Sequence, residues 1–293
     1  MAIDKKRVAK NIDKLKKALK KGKKWRGPSD VHKLRTRIRR VQSVLESAQP
    51  QVKLSKTWLL KKLKRLHKKA GKVRDLDVMT GHLSSLHVSG EDDCLIQLQQ
   101  HLGFQRHREE KRLRRAVQKQ RAAVSEELSN SARRVEKTVD NNSKEESATA
   151  ASALKLSAKL ANPITLNRNN LHGYRTEIKD LRDILQLGVG SRNEKLVDAL
   201  GKAKDAIGEW HDWEELVAIA NEILGHGPGC KLLQELKKKA GKEFETALSL
   251  TNKMRKTYFQ ASGKEKSSRR SAKRGRAAPA VRAAAKLVAQ GSS

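Results

Sequence analysis

Val31-His32-Lys33-Leu34-Arg35-Thr36-Arg37-Ile38-Arg39-Arg40-Val41 is the stretch that decides the fold. Val31, Leu34, Ile38, Val41 and Leu45 recur at steps of three and four. At about 100° per residue that spacing gathers them into one narrow helical arc, which must face a core. His32, Arg35 and Arg39 fall in a second arc, about one residue step round from the first. The segment returns, much altered, 140 positions later as Leu171-His172-Gly173-Tyr174-Arg175-Thr176-Glu177-Ile178-Lys179-Asp180-Leu181. There Leu171, Tyr174, Ile178, Leu181 and Leu185 form the apolar stripe, and His172, Arg175, Lys179 and Arg182 flank it. A second match keeps the same order: Gly71-Lys72-Val73-Arg74-Asp75-Leu76-Asp77 reappears 137 positions on as Gly208-Glu209-Trp210-His211-Asp212-Trp213-Glu214. Two matches at nearly one offset indicate an internal duplication of helical units.

Working outward, apolar residues at helical spacing predict helices over 3–21, 31–48, 52–69, 72–86 and 92–127 in the first half. Gly71 reads as the break between the third and fourth of these. In the second half the same signals predict helices over 166–187, 192–206, 209–224 and 230–260. No strand pattern is found, so the fold class is all-α. Residues 1–136 make one bundle half and 153–260 the other. The polar stretch 137–152, with Asn141-Asn142-Ser143, reads as a linker. Residues 261–293 form a tail rich in Ser, Lys, Arg and Ala that is expected to be disordered when free.

The 293 residues carry 66 Lys and Arg against 32 Asp and Glu, a formal net charge of +34. An excess of that size bears on partners rather than on fold, and points to a polyanion: nucleic acid, an anionic membrane surface or a phosphate polymer. No stretch approaches the roughly 20 apolar residues that span a bilayer, and Met1 to Lys21 lacks the apolar run of a signal peptide. A soluble, cytoplasmic protein is expected; in a eukaryotic host the basic tail would suit a nuclear address. Cys94 and Cys230 belong to no Cys-x-x-Cys pair and read as buried free thiols in a reducing compartment.

The cations of the two duplicated helices lie where a groove between helices would be. Three or four like charges on one flank cost stability through repulsion, whereas a helix needing only solubility would interleave Glu with Lys. Phosphate oxygens suit the arrangement: Arg offers a planar donor fork, and Lys a compact point charge. The surrounding cations should hold His32 and His172 neutral until a phosphate favours the charged form. The scattered lysines at 5–6, 16–17, 20–24 and 61–62 read instead as ordinary solvated faces.

These residues resemble the CHAD family, the conserved histidine α-helical domain. Val31-His32-x-x-Arg35-x-x-x-Arg39-Arg40 resembles its first histidine helix, and Gly71-x-Val73-Arg74-Asp75-Leu76-Asp77-Val78 its Gly-x-x-Arg-Asp-x-Asp segment. Leu171-His172-x-x-Arg175-x-x-x-Lys179-x-Leu181-Arg182 resembles the second histidine helix, and Gly208 to Asp212 the later glycine motif. The resemblance implies two antiparallel four-helix bundles related by a pseudo-two-fold, with a basic surface that binds inorganic polyphosphate and an association with polyphosphate granules. Carried onto this chain, it makes His32, Arg35, Arg39, Arg40, Arg74, His172, Arg175, Lys179 and Arg182 the candidate binding residues. The copies are not equivalent, because Asp180 stands where copy one has Arg40, and Gln42 where copy two has Arg182.

The rival reading is non-specific nucleic-acid binding, since phosphate contacts alone supply it. An aromatic content of 3% speaks against base stacking on single strands, and no zinc-finger, basic-zipper or RNA-binding sheet pattern is present. The basic tail could still hold DNA or RNA. Enzyme readings fare worse. None of the nine histidines has a Glu three places before it, as di-iron bundles require. A His in each half with its own cation ladder suits multivalent binding better than phosphotransfer, and Asp75 and Asp212 read as capping or ion-pair residues. No enzyme activity, cofactor or metal is expected.

Overall fold

The protein is described by a computed structural model covering residues 5–23, 25, 27–47, 58–138, 143–162, 164–187, 194–225 and 229–260. Eight α-helices and no strands occur among these residues: α1 (Lys5–Lys20), α2 (Pro28–Ser47), α3 (Trp58–Ser84), α4 (Asp92–Thr138), α5 (Ser143–Ala161), α6 (Leu171–Leu187), α7 (Glu194–Ile223) and α8 (Lys231–Tyr258). A single 3-10 turn, Lys21–Lys23, follows α1. The basic tail from 261 onward and residues 139–142 of the expected linker lie outside the described residues. No described helix is long and apolar enough to cross a membrane.

Local chemistry sets the ends of the two duplicated helices. Pro28 opens α2 at the first helical position, where its missing N–H costs nothing, and the Asp30 N–H donates to Gly27 O at 3.2 Å. Before α6, the Asn167 side-chain oxygen accepts from the N–H groups of Asn169 and Asn170 at 2.9 and 3.2 Å. That asparagine turn delays the start of α6 to Leu171, five residues after the expected start.

The two halves have separate cores. Val31, Leu34, Ile38, Val41 and Leu45 are all buried, packed with Leu15 and Leu19 of α1, Leu63 and Leu66 of α3, and Leu113 and Val117 of α4. In the other core Leu171, Tyr174, Ile178, Leu181 and Leu185 pack with Leu160, Leu200, Ile207 and Trp210. Each fully buried Leu or Ile contributes about 1.5–3 kcal/mol, so these stripes fix which way α2 and α6 turn their cations. Tyr174 is buried with its hydroxyl donating to Leu160 O at 2.8 Å. The described residues divide into two compact units, but not at mid-sequence: one takes in those within 2–141 and 218–234, the other those within 142–217 and 235–260. The last turn of α7 and the first turn of α8 thus belong with α1–α4.

Two expected breaks do not occur. The helices read as 52–69 and 72–86 are one element, α3, and those read as 192–206 and 209–224 are one element, α7. Glycine in a helix interior costs about 0.5–1 kcal/mol relative to alanine, which is why Gly71 and Gly208 look like breakers in sequence. Both are buried under a neighbouring helix's arginine, and tertiary packing overrides the local cost. The expected linker 137–152 also differs in part: α4 continues to Thr138 and α5 begins at Ser143.

Candidate anion-binding site

The first copy of the site is built from α2 and α3. Arg35 is half-buried and lies across Gly71: a Cβ on that glycine would sit 3.7 Å from Arg35 Nε and 3.9 Å from both its Nη2 and Asp75 Oδ2. Those are ordinary van der Waals distances, so the guanidinium rests against the helix here without excluding a methyl group. The Arg35 Nε is buried with no hydrogen-bond partner among the described residues, a condition that ordinarily costs about 1–3 kcal/mol. His32 lies one turn before Arg35, exposed to solvent, and Arg74 of α3 is close enough to act on it electrostatically. His32 is held below its ordinary pKa, first by partial desolvation and then by Arg74 and Arg35.

The second copy repeats the arrangement on α6 and α7. A Cβ on Gly208 would lie 2.9 Å from Arg175 Nη2 and 3.4 Å from its Cζ and Nε. Arg175 Nε donates to Lys204 O at 3.3 Å, which ties the guanidinium to α7. His172 meets His211 with ring centroids 4.5 Å apart and planes tilted by 54°. His172 is lowered by desolvation first, then by His211 and Arg175, against a smaller opposing effect of Glu215. His211 occupies the place in the second copy that Arg74 holds in the first.

About two turns further along α6 from Arg175 the copies diverge. Arg182 lies over Gly201, whose Cβ would sit 3.3 Å from Arg182 Nε, and that nitrogen is buried without a hydrogen-bond partner among the described residues. The corresponding positions in copy one hold Gln42, which is buried, and Lys64. Arginine and glycine occur together in one copy and are absent together from the other, as a close guanidinium–helix approach demands.

Of the nine residues singled out by sequence, His32, Arg35 and Arg74 come together in one unit, and His172, Arg175 and Arg182 share one helix flank in the other. Arg39 and Lys179 lie about two turns beyond their histidines, both half-buried. Arg40 is exposed and sits about 100° round the helix from Arg39, outside the ladder's arc.

Two features escape sequence reasoning. His211 is signalled only by its alignment with Arg74. A basic cleft between α3 and α4, lined by Arg65, Lys68, Lys69, Lys72 and Arg112 with Glu109 among them, has no such signal, because its lysines look like solvated helix faces.

Set beside known proteins, the fold is a recognised one. No curated protein matches the chain. Among solved structures, PptA from Streptomyces chartreusis is similar with a TM-score of 0.64 and 16% identity, over 84% of this chain and 95% of that one. A crystal structure of the CHAD domain from the plant Ricinus communis is similar with a TM-score of 0.60 and 13% identity, over 85% of this chain and 89% of that one. Likeness at such identities speaks to the fold alone. The family is settled by sequence: the CHAD domain matches residues 6–221, from α1 to the last turn of α7 and across both histidine helices. On that match, and with the eight-helix fold in agreement, the chain belongs to the CHAD domain family.

Proposed function

We propose that the protein binds inorganic polyphosphate through the two histidine–arginine ladders and does not hydrolyse it. One observation carries the reading: an arginine packed over a helix glycine, tightly at Arg175–Gly208 and more loosely at Arg35–Gly71, with a partly desolvated imidazole a turn away, is built into both halves. Glycine inside a helix lowers stability, and so does an orphaned arginine N–H. A fold that accepts these costs, with a glycine beneath Arg35, Arg175 and Arg182 and, among the described residues, a partnerless buried Nε on Arg35 and Arg182, is holding guanidinium groups in position. A guanidinium so fixed grips an oxyanion with less entropy lost per bond, each charge-assisted bond contributing about 1.5–3 kcal/mol. A phosphate polymer offers such oxyanions in series and has no bases to read, in keeping with the low aromatic content. The CHAD resemblance implies the same ligand. The ladders hold no nucleophile–base pair that would point to turnover.

The test is polyphosphate affinity across a salt series for three variants: Arg35→Ala with Arg39→Ala, Arg175→Ala with Lys179→Ala, and a control lacking Lys16, Lys17, Lys20 and Lys21. Circular dichroism confirms intact helices. Each ladder variant should bind more weakly. By analogy with single-stranded nucleic acid, its salt slope should fall by about 0.7 for each phosphate group it no longer grips. If the lysine control loses as much as the ladder variants, binding is diffuse electrostatics and the site is misassigned. Duplex DNA of equal charge that binds residues 1–260 as tightly as polyphosphate would favour the nucleic-acid reading.

A further inference from the structure

Glu91, Cys94 and Cys230 have no place in the ladders, yet their ligand atoms all lie within 4.8 Å of one another. All three belong to the unit made of residues 2–141 and 218–234. The sequence hides the cluster, because the two cysteines stand 136 residues apart, one in the first turn of α4 and one just before α8. Both are buried thiols, and they are not joined as a disulfide. Their Sγ atoms are 3.8 Å apart, and Cys230 Sγ is 3.6 Å from Glu91 Oε2.

The carboxylate is held in place. The Lys231 N–H, in the first turn of α8, donates to Glu91 Oε1 at 3.1 Å. One carboxylate oxygen is thereby occupied and the other faces sulfur. Support of this kind orients ligands in metal sites.

The geometry points to a binding site for a thiophilic divalent cation of the Zn2+ class, with Cys94 Sγ, Cys230 Sγ and Glu91 Oε2 as ligands and a fourth position left for water. In a tetrahedral zinc site, Zn–S near 2.3 Å and Zn–O near 2.1 Å set ligand edges of about 3.8 Å for S···S and about 3.6 Å for S···O. The 3.8 and 3.6 Å separations in the structure agree with these values. Two thiolates with one carboxylate make a donor set suited to zinc and poorly suited to magnesium or calcium, which take oxygen ligands. A disulfide is the alternative use of two close thiols. The oriented carboxylate argues against it, because negative charge beside sulfur opposes the thiolate that disulfide exchange requires, whereas a cation welcomes it.

Reduced, metal-free full-length protein titrated with Co2+ tests the site. The expected result is one equivalent of a sulfur-to-cobalt charge-transfer band with the strong visible bands of a tetrahedral ion, displaced by Zn2+ and insensitive to Mg2+. Because the chain has only two cysteines, the band reports this cluster and no histidine site. Cys94→Ser or Cys230→Ser should abolish it. Glu91→Gln, which removes the charged oxygen ligand, should weaken Zn2+ binding by at least about tenfold, the effect of losing even an outer supporting group. Should a variant fail to fold, wild-type protein gives a second measurement: Zn2+ should protect both thiols from alkylation, read by peptide mass. Absence of the charge-transfer band, or absence of protection, overturns the proposal. So does formation of a Cys94–Cys230 disulfide by glutathione disulfide at equal rate with and without Zn2+.

Discussion

Replacing Gly208 by alanine should separate what α7 needs as a helix from what Arg175 needs as a seat. Alanine is favoured over glycine by about 1 kcal/mol in a helix interior. At this position the new methyl would stand 2.9 Å from Arg175 Nη2, too close for either to stay, and the flexible guanidinium is the group that yields. Moving it breaks the 3.3 Å bond to Lys204 O. Hydrogen bonds from charged donors net about 1.5–3 kcal/mol, and this long one belongs at the low end. The expected balance is a small net destabilisation of about 0.5 kcal/mol. With Arg175 already changed to alanine there is no guanidinium to displace, so Gly208→Ala should then stabilise by about 1 kcal/mol. The coupling between the two changes is therefore about 1.5 kcal/mol, well above the ~0.5 kcal/mol within which independent sites add. Gly71 supplies the control: its Cβ would meet Arg35 at an ordinary 3.7 Å, so Gly71→Ala and Arg35→Ala should be close to additive. Urea unfolding of both four-member sets, followed by circular dichroism, reads the couplings, and a polyphosphate titration of each variant reads function. Gly208→Ala should weaken binding and Gly71→Ala should leave it intact. Additivity at Gly208–Arg175, or an equal coupling at Gly71–Arg35, would refute the seat.

Four further outcomes are expected. Because His32 and His172 are held below 6.5 in the free protein and an adjacent phosphate favours their charged forms, binding takes up protons. Polyphosphate affinity at constant salt should rise as pH falls below 6.5, by about tenfold per histidine for each unit by which the ligand raises its pKa, and the rise should flatten in His32→Ala with His172→Ala. Stability of the ligand-free protein should move the other way, full above 6.5 and declining as pH falls toward the lowered folded values, since there the unfolded chain binds more protons. Incubation with polyphosphate, nucleoside triphosphates and divalent metal should release no phosphate above a protein-free control; turnover that disappears on changing His32 or Asp75 would make the protein an enzyme. Truncation at Ala261 should weaken duplex DNA binding more than polyphosphate binding in parallel titrations.

The apolar stripes of α2 and α6 are legible from spacing alone, since a helix with one buried face repeats every three to four residues whatever its neighbours. The helix ends before Pro50 and after Gly27 are legible because proline and glycine act locally. That same local rule misreads Gly71 and Gly208. Both are buried within continuous helices and packed near an arginine on another helix, 36 residues away in the first case and 33 in the second, and no local propensity registers packing of that range. Their alignment at a common offset does mark the two positions as equivalent, although only at Gly208 would a methyl group force the arginine to move. The mismatch of Gln42 against Arg182 is visible too, while its pairing with Lys64 against Gly201 needs the helices placed side by side. The α3–α4 cleft is out of reach because lysines facing a cleft and lysines facing open water have the same spacing.

The allotment of residues 218–234 to the same compact unit as 2–141 has a consequence for how the protein is made. During synthesis, the segment carrying Leu224, Cys230 and Leu232 leaves the ribosome only after 142–217 has emerged. At roughly 5–20 residues per second, the 93 residues from 141 to 234 take about 5–20 s to add. Through that interval the early helices wait without the hydrogen bonds that Gln97 and Glu91 later make with Ile223 and Lys231. The nascent chain therefore carries an unfinished surface at the start of α4, exposed to chaperones for seconds, and the first half completes itself only when most of the second already exists.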